Sequence, residues 1–276
     1  MPDHRVGFLL SLLVSLITYL GIQSKETVIT IPIVLFIYDF FIRSHSSFRP
    51  ICSRWRFYAP FLVGGSGAAY LLLTGPLSGA VGGTLPGHLS PWHYLLTQTR
   101  VIVYYLRIVF LPIGLNLVHD LPPSSSSFEP AVIVSSLLIF GLIGLAWFMR
   151  QRLALFSFSI FWFFVTLAPT SSIAPILDVL FEHRLYLPMA GLCLSFPFVL
   201  EAGLRVLKNR TQLQMKVVPV ATVILAFLIL GTVLRNEVWR DEARLWKDVV
   251  SKSPNKVRGY NALAMTYFRR DDFEKA

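Results

Sequence analysis

Charged residues are scarce in this 276-residue chain, since only 14% of its residues are Asp, Glu, Lys or Arg. Soluble domains carry about 25% charged residues, so the composition excludes an ordinary cytosolic enzyme. Cysteine is scarcer still: Cys52 and Cys193 lie far apart, which excludes a disulfide framework and a zinc knuckle. The sequence also has no Ser-His-Asp arrangement, no nucleotide-binding glycine loop and no metalloprotease helix.

Apolar residues are abundant instead, at 54% of the chain, and the mean hydropathy is +0.61. A membrane-spanning helix takes about 20 residues, so this composition leaves room for about six or seven spans. We therefore expect an all-α fold, a polytopic membrane helix bundle over residues 1–234 without a cleaved signal peptide. The apolar runs that predict about seven spans are 6–22, 28–42, 58–73, 131–148, 153–168, 185–206 and 217–234.

The basic residues predict the orientation of this bundle. Of the 25 basic residues, 11 fall in alternate connections and only 4 in the connections between them. The positive-inside rule places the basic connections in the cytoplasm. The other 10 basic residues follow the last run, in a water-soluble segment, 235–276, that we expect on the non-cytoplasmic side. The net charge of +10 is therefore explained mostly by the membrane orientation of the chain, and we expect no nucleic-acid partner.

An eighth apolar stretch, 95–117, is expected not to cross the membrane. If it did, every later connection would invert and the charge asymmetry would be lost. Arg100 and Arg107 are seven residues apart and lie near one face of a helix. We expect an interfacial or re-entrant amphipathic helix, and a tilted span with two satisfied arginines is the alternative.

The segment 235–276 has the pattern of the start of a tetratricopeptide-repeat region. Trp246 and Pro254 have the spacing of the end of one repeat. One repeat cannot bury its own apolar face, so the segment must continue in further repeats or dock elsewhere. The residues expected to pack the next repeat are Tyr260, Leu263, Ala264, Tyr267 and Ala276.

Polar residues in the expected outer connections are the candidates for chemistry, because a charge near the bilayer is costly without a purpose. Asp178 and Glu182 are spaced to share one face of a helix. Simple anchoring at the membrane rim is the alternative explanation for these polar groups. No metal site is predicted from the adjacent His119 and Asp120. The candidates for binding or orienting a phosphate are Lys25, Glu26, Arg107, Glu182, Arg184 and Tyr186.

Three motifs together resemble a known family. The first is Ser-Lys-Glu at 24–26, which precedes an apolar helix that runs through Pro32 to Tyr38-Asp39. The second, at 105–116, contains Tyr-Leu-Arg, Leu-Pro and Leu-Asn, and the third is Glu-His-Arg-Leu-Tyr-Leu-Pro at 182–188. They are similar to motifs of the transmembrane and tetratricopeptide-repeat O-mannosyltransferases and their bacterial relatives. The resemblance extends over most of the chain, and the third motif is the most specific.

This resemblance implies a GT-C glycosyltransferase. Such an enzyme moves mannose or a related sugar from a polyprenyl-phosphate donor to a protein Ser or Thr on the non-cytoplasmic face. The implied partners are membrane lipid, the lipid-linked donor and an acceptor protein recruited by the repeats. The implied location is the bacterial inner membrane, or the endoplasmic reticulum in a eukaryote.

Family members carry further helices before the first motif, with the acidic catalytic residue and a metal-associated region. This chain starts about one helix before that motif, so we expect a C-terminal fragment with no catalytic base, cofactor or metal of its own. A membrane-anchored repeat scaffold without catalysis is the alternative. A transporter is disfavoured, because the polar residues crowd the outer rim and not the midplane.

Overall fold

The computed structural model describes residues 4–61, 89–172, 175, 179–206 and 210–272. Within these ranges the chain is helical and forms no strand, which confirms the all-α prediction. Helices are the expected solution for such an apolar chain, because each one satisfies its backbone hydrogen bonds internally. The α-helices are α1 His4–Ile22, α2 Ile31–Tyr38, α3 Arg49–Ser53, α4 Pro91–Phe110, α5 Pro130–Met149, α6 Ala154–Leu167, α7 Tyr186–Val206, α8 Arg210–Trp239, α9 Glu242–Lys252 and α10 Val257–Phe268.

Three helical segments of the described chain are long and apolar enough to cross a membrane, not the seven that were predicted. They are Pro130–Met149, Glu182–Gly203 and Pro219–Trp239. The correction follows partly from length. The apolar helix α6, Ala154–Leu167, is shorter than 18 residues. At 1.5 Å per residue it is about 21 Å long and falls short of the roughly 30 Å hydrocarbon core.

The predicted span 28–42 is divided into three kinds of helix. A 3-10 helix, Glu26–Thr30, leads into α2, and a π-helical turn, Asp39–Arg43, follows it. His45 and Ser46, with φ values of 47° and 61°, then end the helical path. Hydropathy alone does not show these changes of pitch. The predicted span 58–73 lies outside the described residues after residue 61.

The helix predicted over 95–117 is α4, which begins at Pro91 and ends at Phe110. The Ser90 hydroxyl caps its start by accepting a hydrogen bond from the His93 amide at 3.3 Å. Pro112 follows its end and disfavours further helix. Its buried positions are spaced as one helical face, which agrees with the predicted amphipathic character. The buried side chains are Tyr94, Leu96, Thr97, Gln98, Val101, Tyr105 and Ile108.

The chain packs as two compact units. Unit 1 comprises Met1–Pro112, Pro123–Val179 and His183–Val199, and unit 2 comprises Ile113–Pro122, Leu180–Glu182 and Leu200–Ala276. Unit 1 has an aromatic core where the π-helical turn packs against α6. Its buried members are Ile37, Phe40, Phe41, Ile51 and Phe158.

Unit 2 contains a packed helix pair, α9 and α10, joined by a four-residue turn. The Asp241 carboxylate caps α9 by accepting from the Arg244 amide at 2.8 Å. Gly259 lets the two helices approach closely, because a Cβ there would lie 3.2 Å from Val249 and 3.3 Å from Val250. The assignment of this pair to a tetratricopeptide repeat stays a prediction.

Candidate functional site

Two of the predicted phosphate-binding cations lie near one imidazole in unit 1. Lys25 is exposed at the start of the 3-10 helix, where its amide donates to the Gly21 carbonyl at 2.9 Å. Arg184 is half-buried in the 3-10 helix Glu182–Leu185. Burial and the positive charges of Arg184 and Lys25 all lower the pKa of His183. The structure therefore brings a residue of the first motif and a residue of the third motif into one electropositive region.

The remaining predicted candidates of unit 1 are in different settings. Arg107 is exposed in the last turn of α4, with its guanidinium 5.2 Å from the centre of the Tyr104 ring. Tyr186 is 84% exposed at the start of α7. Glu26 begins the 3-10 helix, and its side chain lies outside the described part, as does all of Asp178. Their expected roles stay predictions.

Glu182, the predicted acidic residue of the third motif, belongs to unit 2. Its Oε1 accepts a hydrogen bond from the Asn116 amide at 2.7 Å and lies 2.9 Å from Nε2 of His119. The Asn116 side chain is buried and donates to the Val118 carbonyl at 2.6 Å. Glu182 thus fixes the loop 113–122, which carries the end of the second motif.

The same loop binds the turn that follows α9. The buried Ser253 hydroxyl donates to the Val118 carbonyl at 2.8 Å and accepts from Nδ2 of Asn116 at 2.9 Å. Lys252 Nζ donates to the Leu115 carbonyl at 2.9 Å, and Asn255 donates to Asp120 at 2.7 Å. We call this set of contacts the turn-loop network. Sequence reasoning missed Ser253 and Asn255, because a Ser-Pro-Asn turn predicts a turn and not its partner.

The repeat positions predicted from the sequence occupy the helix pair unevenly. Tyr267 is buried, and Trp246, Leu263 and Ala264 are half-buried. Tyr260 is exposed on α10, and Pro254 is exposed in the turn. Ala276 lies outside the described residues. The two helices also approach closely at Gly259, a position that the repeat pattern did not single out.

A buried charge cluster in unit 1 was also missed. Asp39 is only 6% exposed, and its carboxylate accepts from Arg54, from the Tyr58 hydroxyl at 2.5 Å and from the Ser44 hydroxyl at 3.2 Å. Burial alone would raise the pKa of Asp39, but the hydrogen bonds from Arg54 and Tyr58 outweigh it and hold that pKa below its usual value. Burial and the neighbouring Asp39 raise the pKa of Tyr58. Asp39 is therefore ionised and fully paired.

The described residues contain no group of three or more His, Cys, Asp or Glu side chains that could hold a metal ion. No group of described side chains therefore fits the metal that the family resemblance implies.

Comparison with known proteins adds nothing to the three motifs. No family model matches the chain, and neither curated proteins nor solved structures match it.

Proposed function

We propose that this chain is the C-terminal part of the membrane domain of a protein O-glycosyltransferase that uses a polyprenyl-phosphate sugar. The transferred group would be mannose or a related sugar, and the acceptor a Ser or Thr hydroxyl on the non-cytoplasmic face. Lys25 and Arg184 bind the donor phosphate, and the helix pair α9–α10 begins the repeats that recruit the acceptor protein.

The observation that carries this proposal is that the charges of Lys25 and Arg184 both lower the pKa of His183. The two cations come from motifs that are far apart in the sequence. An arginine binds phosphate with its planar fork, and a lysine adds a mobile point charge. Two cations with this arrangement suit a phosphate at the surface of the bilayer.

The contacts of Glu182 give a second, independent support. The resemblance rests on motifs at 105–116 and 182–188, and in unit 2 Asn116 of one binds Glu182 of the other. Two motifs that resemble one family thus meet in space. Because His119 and the Asn116 amide already occupy Oε1 of Glu182, the proposal does not make this carboxylate the base that deprotonates the acceptor.

Binding of polyprenyl phosphate to the purified chain tests the donor site without requiring catalysis. Arg184→Gln and Lys25→Gln should each weaken binding about tenfold, which corresponds to the loss of one charge-assisted contact of about 1.4 kcal/mol. Arg244→Gln removes an exposed arginine of α9 and is the matched control, for which we expect unchanged affinity. Undiminished binding by the Lys25→Gln, Arg184→Gln double variant would refute the donor site.

The scaffold alternative is favoured by the exposed apolar side chains of α10. Val257, Tyr260 and Phe268 are 68%, 47% and 56% exposed. If the chain is only a scaffold, the double variant keeps its affinity for partner proteins and the wild type binds polyprenyl phosphate no better than the variant. A pull-down with the same preparations that are used for the donor assay separates the two functions.

A further inference from the structure

An apolar groove of about 610 Å³ lies in unit 1, between the helical segment 26–38 and the segment 51–61. Pro32, Ile33 and Phe36 line one wall, and Cys52 and Trp55 line the other. Ligand pockets in proteins have volumes of about 300–1,000 Å³ and mostly apolar walls. The groove is therefore large enough for a ligand with an apolar portion.

Arginines border this groove. The Arg56 guanidinium lies 5.7 Å from the centre of the Trp55 ring, which is part of the wall. Arg43 and Arg54 both act electrostatically on the hydroxyl of Tyr58, another lining residue. The groove thus combines an apolar interior with a cationic border.

The arginines near the groove give this part of the chain an excess of positive charge. Residues 39–61 contain four arginines and one acidic residue, Asp39, which gives a net charge of +3. Asp39 is already bound to Arg54. Among the described residues, Arg43, Arg49 and Arg56 form no ion pair with a carboxylate. These three arginines are exposed and can therefore bind an anion from outside the chain.

We propose that the groove and its arginine border bind an anionic phospholipid of the surrounding bilayer. An acyl chain occupies the apolar groove, and the phosphate lies against Arg43 and Arg56. A lipid fits better than a soluble phosphate, because the walls are apolar and because Phe48 and Trp55 are 54% and 61% exposed on the same segment. Exposed aromatic and basic residues together mark the headgroup level of a membrane. This site is separate from the proposed donor site and does not depend on it.

A native cysteine allows a direct test in the full chain. Cys52 lines the groove, whereas Cys193 lies inside the apolar segment Glu182–Gly203, so the variant Cys193→Ser leaves Cys52 as the single reporter. We would measure N-ethylmaleimide modification of Cys52 in nanodiscs of phosphatidylcholine, with and without phosphatidylglycerol. Modification of Cys52 should slow about tenfold with phosphatidylglycerol, because one charge-assisted contact favours the anionic lipid by about 1.4 kcal/mol.

Variants of the border identify the group that selects the lipid. Arg43→Gln with Arg56→Gln should abolish the effect of phosphatidylglycerol at Cys52. Arg150→Gln is the matched control, because Arg150 also lies over a tryptophan, Trp147 at 4.5 Å, that does not line the groove. Selectivity that survives in the double variant would overturn the proposal.

Two further outcomes would also overturn it. Equal rates at Cys52 in both lipid mixtures in the wild type would show that the groove does not select an anionic lipid, whether or not the variants fold. Equal protection of Cys52 by soluble glycerol 3-phosphate in phosphatidylcholine discs would show a phosphate site without a lipid.

Discussion

Asp39 is a buried carboxylate, only 6% exposed, that forms an ion pair with Arg54. Asp39→Asn keeps the shape of the side chain but leaves Arg54, which is 28% exposed, without a counter-charge. Breaking a buried pair costs about 3–5 kcal/mol, and we expect about 2 kcal/mol here because Arg54 is partly solvated. Thermal unfolding in detergent measures the loss. Glu237→Gln, which removes the acidic partner of the exposed Arg240, is the control and should have little effect.

The same carboxylate predicts a pH dependence. The pKa of Asp39 is lower in the folded chain than its unfolded value of about 3.9. Its contribution to stability is therefore complete above that unfolded value and is lost as the pH falls through the folded pKa. Between pH values of about 5 and 2, the unfolding temperature of the wild type should fall more steeply than that of Asp39→Asn. Parallel curves would contradict this.

At the residue scale, sequence reasoning singled out charged side chains that lie close to apolar runs, because such residues are rare near a membrane. Lys25 and Arg184 were predicted as phosphate-binding candidates, because a charge near the bilayer is costly without a purpose, and both lower the pKa of His183. Their phosphate-binding role stays a prediction. Ser253 and Asp39 were not singled out, because a serine in a turn and an aspartate beside arginines are common. Their importance depends on burial and on partners that are distant in the chain.

At the scale of helices, α6 and α7 approach each other closely at Gly191. A Cβ at this position would lie 2.4 Å from Cδ1 of Trp162, whose indole donates to the Leu187 carbonyl at 2.9 Å. Small residues allow such approach between membrane helices. Gly191→Ala should therefore destabilise the chain by about 2 kcal/mol.

Gly203→Ala is the matched control for this substitution. Gly203 lies on the same helix, α7, and a Cβ there would have no atom within 4 Å. Alanine favours a helix over glycine by up to about 1 kcal/mol, so this variant should be as stable as the wild type or slightly more stable. If both variants unfold at the same temperature in detergent, the proposed packing at Gly191 is wrong.

The helical class and the three long apolar helices could be predicted from composition, because a long apolar run satisfies its backbone hydrogen bonds in a membrane by forming a helix. The number of spans could not be predicted in this way. The run 28–42 is apolar throughout, and only the backbone shows that it changes from 3-10 to α to π geometry. Similarly, the run 95–117 was predicted as one helix, but the helix ends at Phe110 because Pro112 follows.

At the scale of the whole molecule, unit 2 is built from three segments that are distant in the sequence. The turn-loop network joins two of them, and the contacts of Glu182 join the third to the loop 113–122. Ser253 is 1% exposed, and Ser253→Ala removes its hydroxyl. The Asn116 side-chain amide and the Val118 carbonyl then each lose one of their hydrogen bonds. The loss of a buried hydrogen bond costs about 1–3 kcal/mol, so amides of the loop 113–122 should exchange with solvent about tenfold faster.

Ser251→Ala separates this effect from a general effect on α9. Ser251 is two residues earlier, is exposed, and donates locally to the Asp248 carbonyl at 2.8 Å. Its replacement should leave exchange in the loop 113–122 unchanged. Hydrogen exchange followed by mass spectrometry of both variants provides the comparison, and equal acceleration in the two would count against a joining role for Ser253.

The division of the chain into units could not be predicted from composition. The sequence predicts a boundary at 234, where charged residues begin, whereas unit 2 comprises Ile113–Pro122, Leu180–Glu182 and Leu200–Ala276. A change in composition shows where apolar residues give way to charged residues. It does not show which distant loop the polar helix pair α9–α10 will bind.

The helix α8 has no buried residue in its window Pro219–Trp239. The sequence of such a helix is constrained mainly by the need for apolar side chains, and very little by packing against neighbouring side chains. Many strings of Leu, Ile, Val and Phe would serve equally well, so its sequence holds little information beyond its length and hydropathy. Substitutions should therefore accumulate faster in this stretch than in the tightly packed α6. Two homologues would have low sequence identity there while keeping the same length and hydropathy.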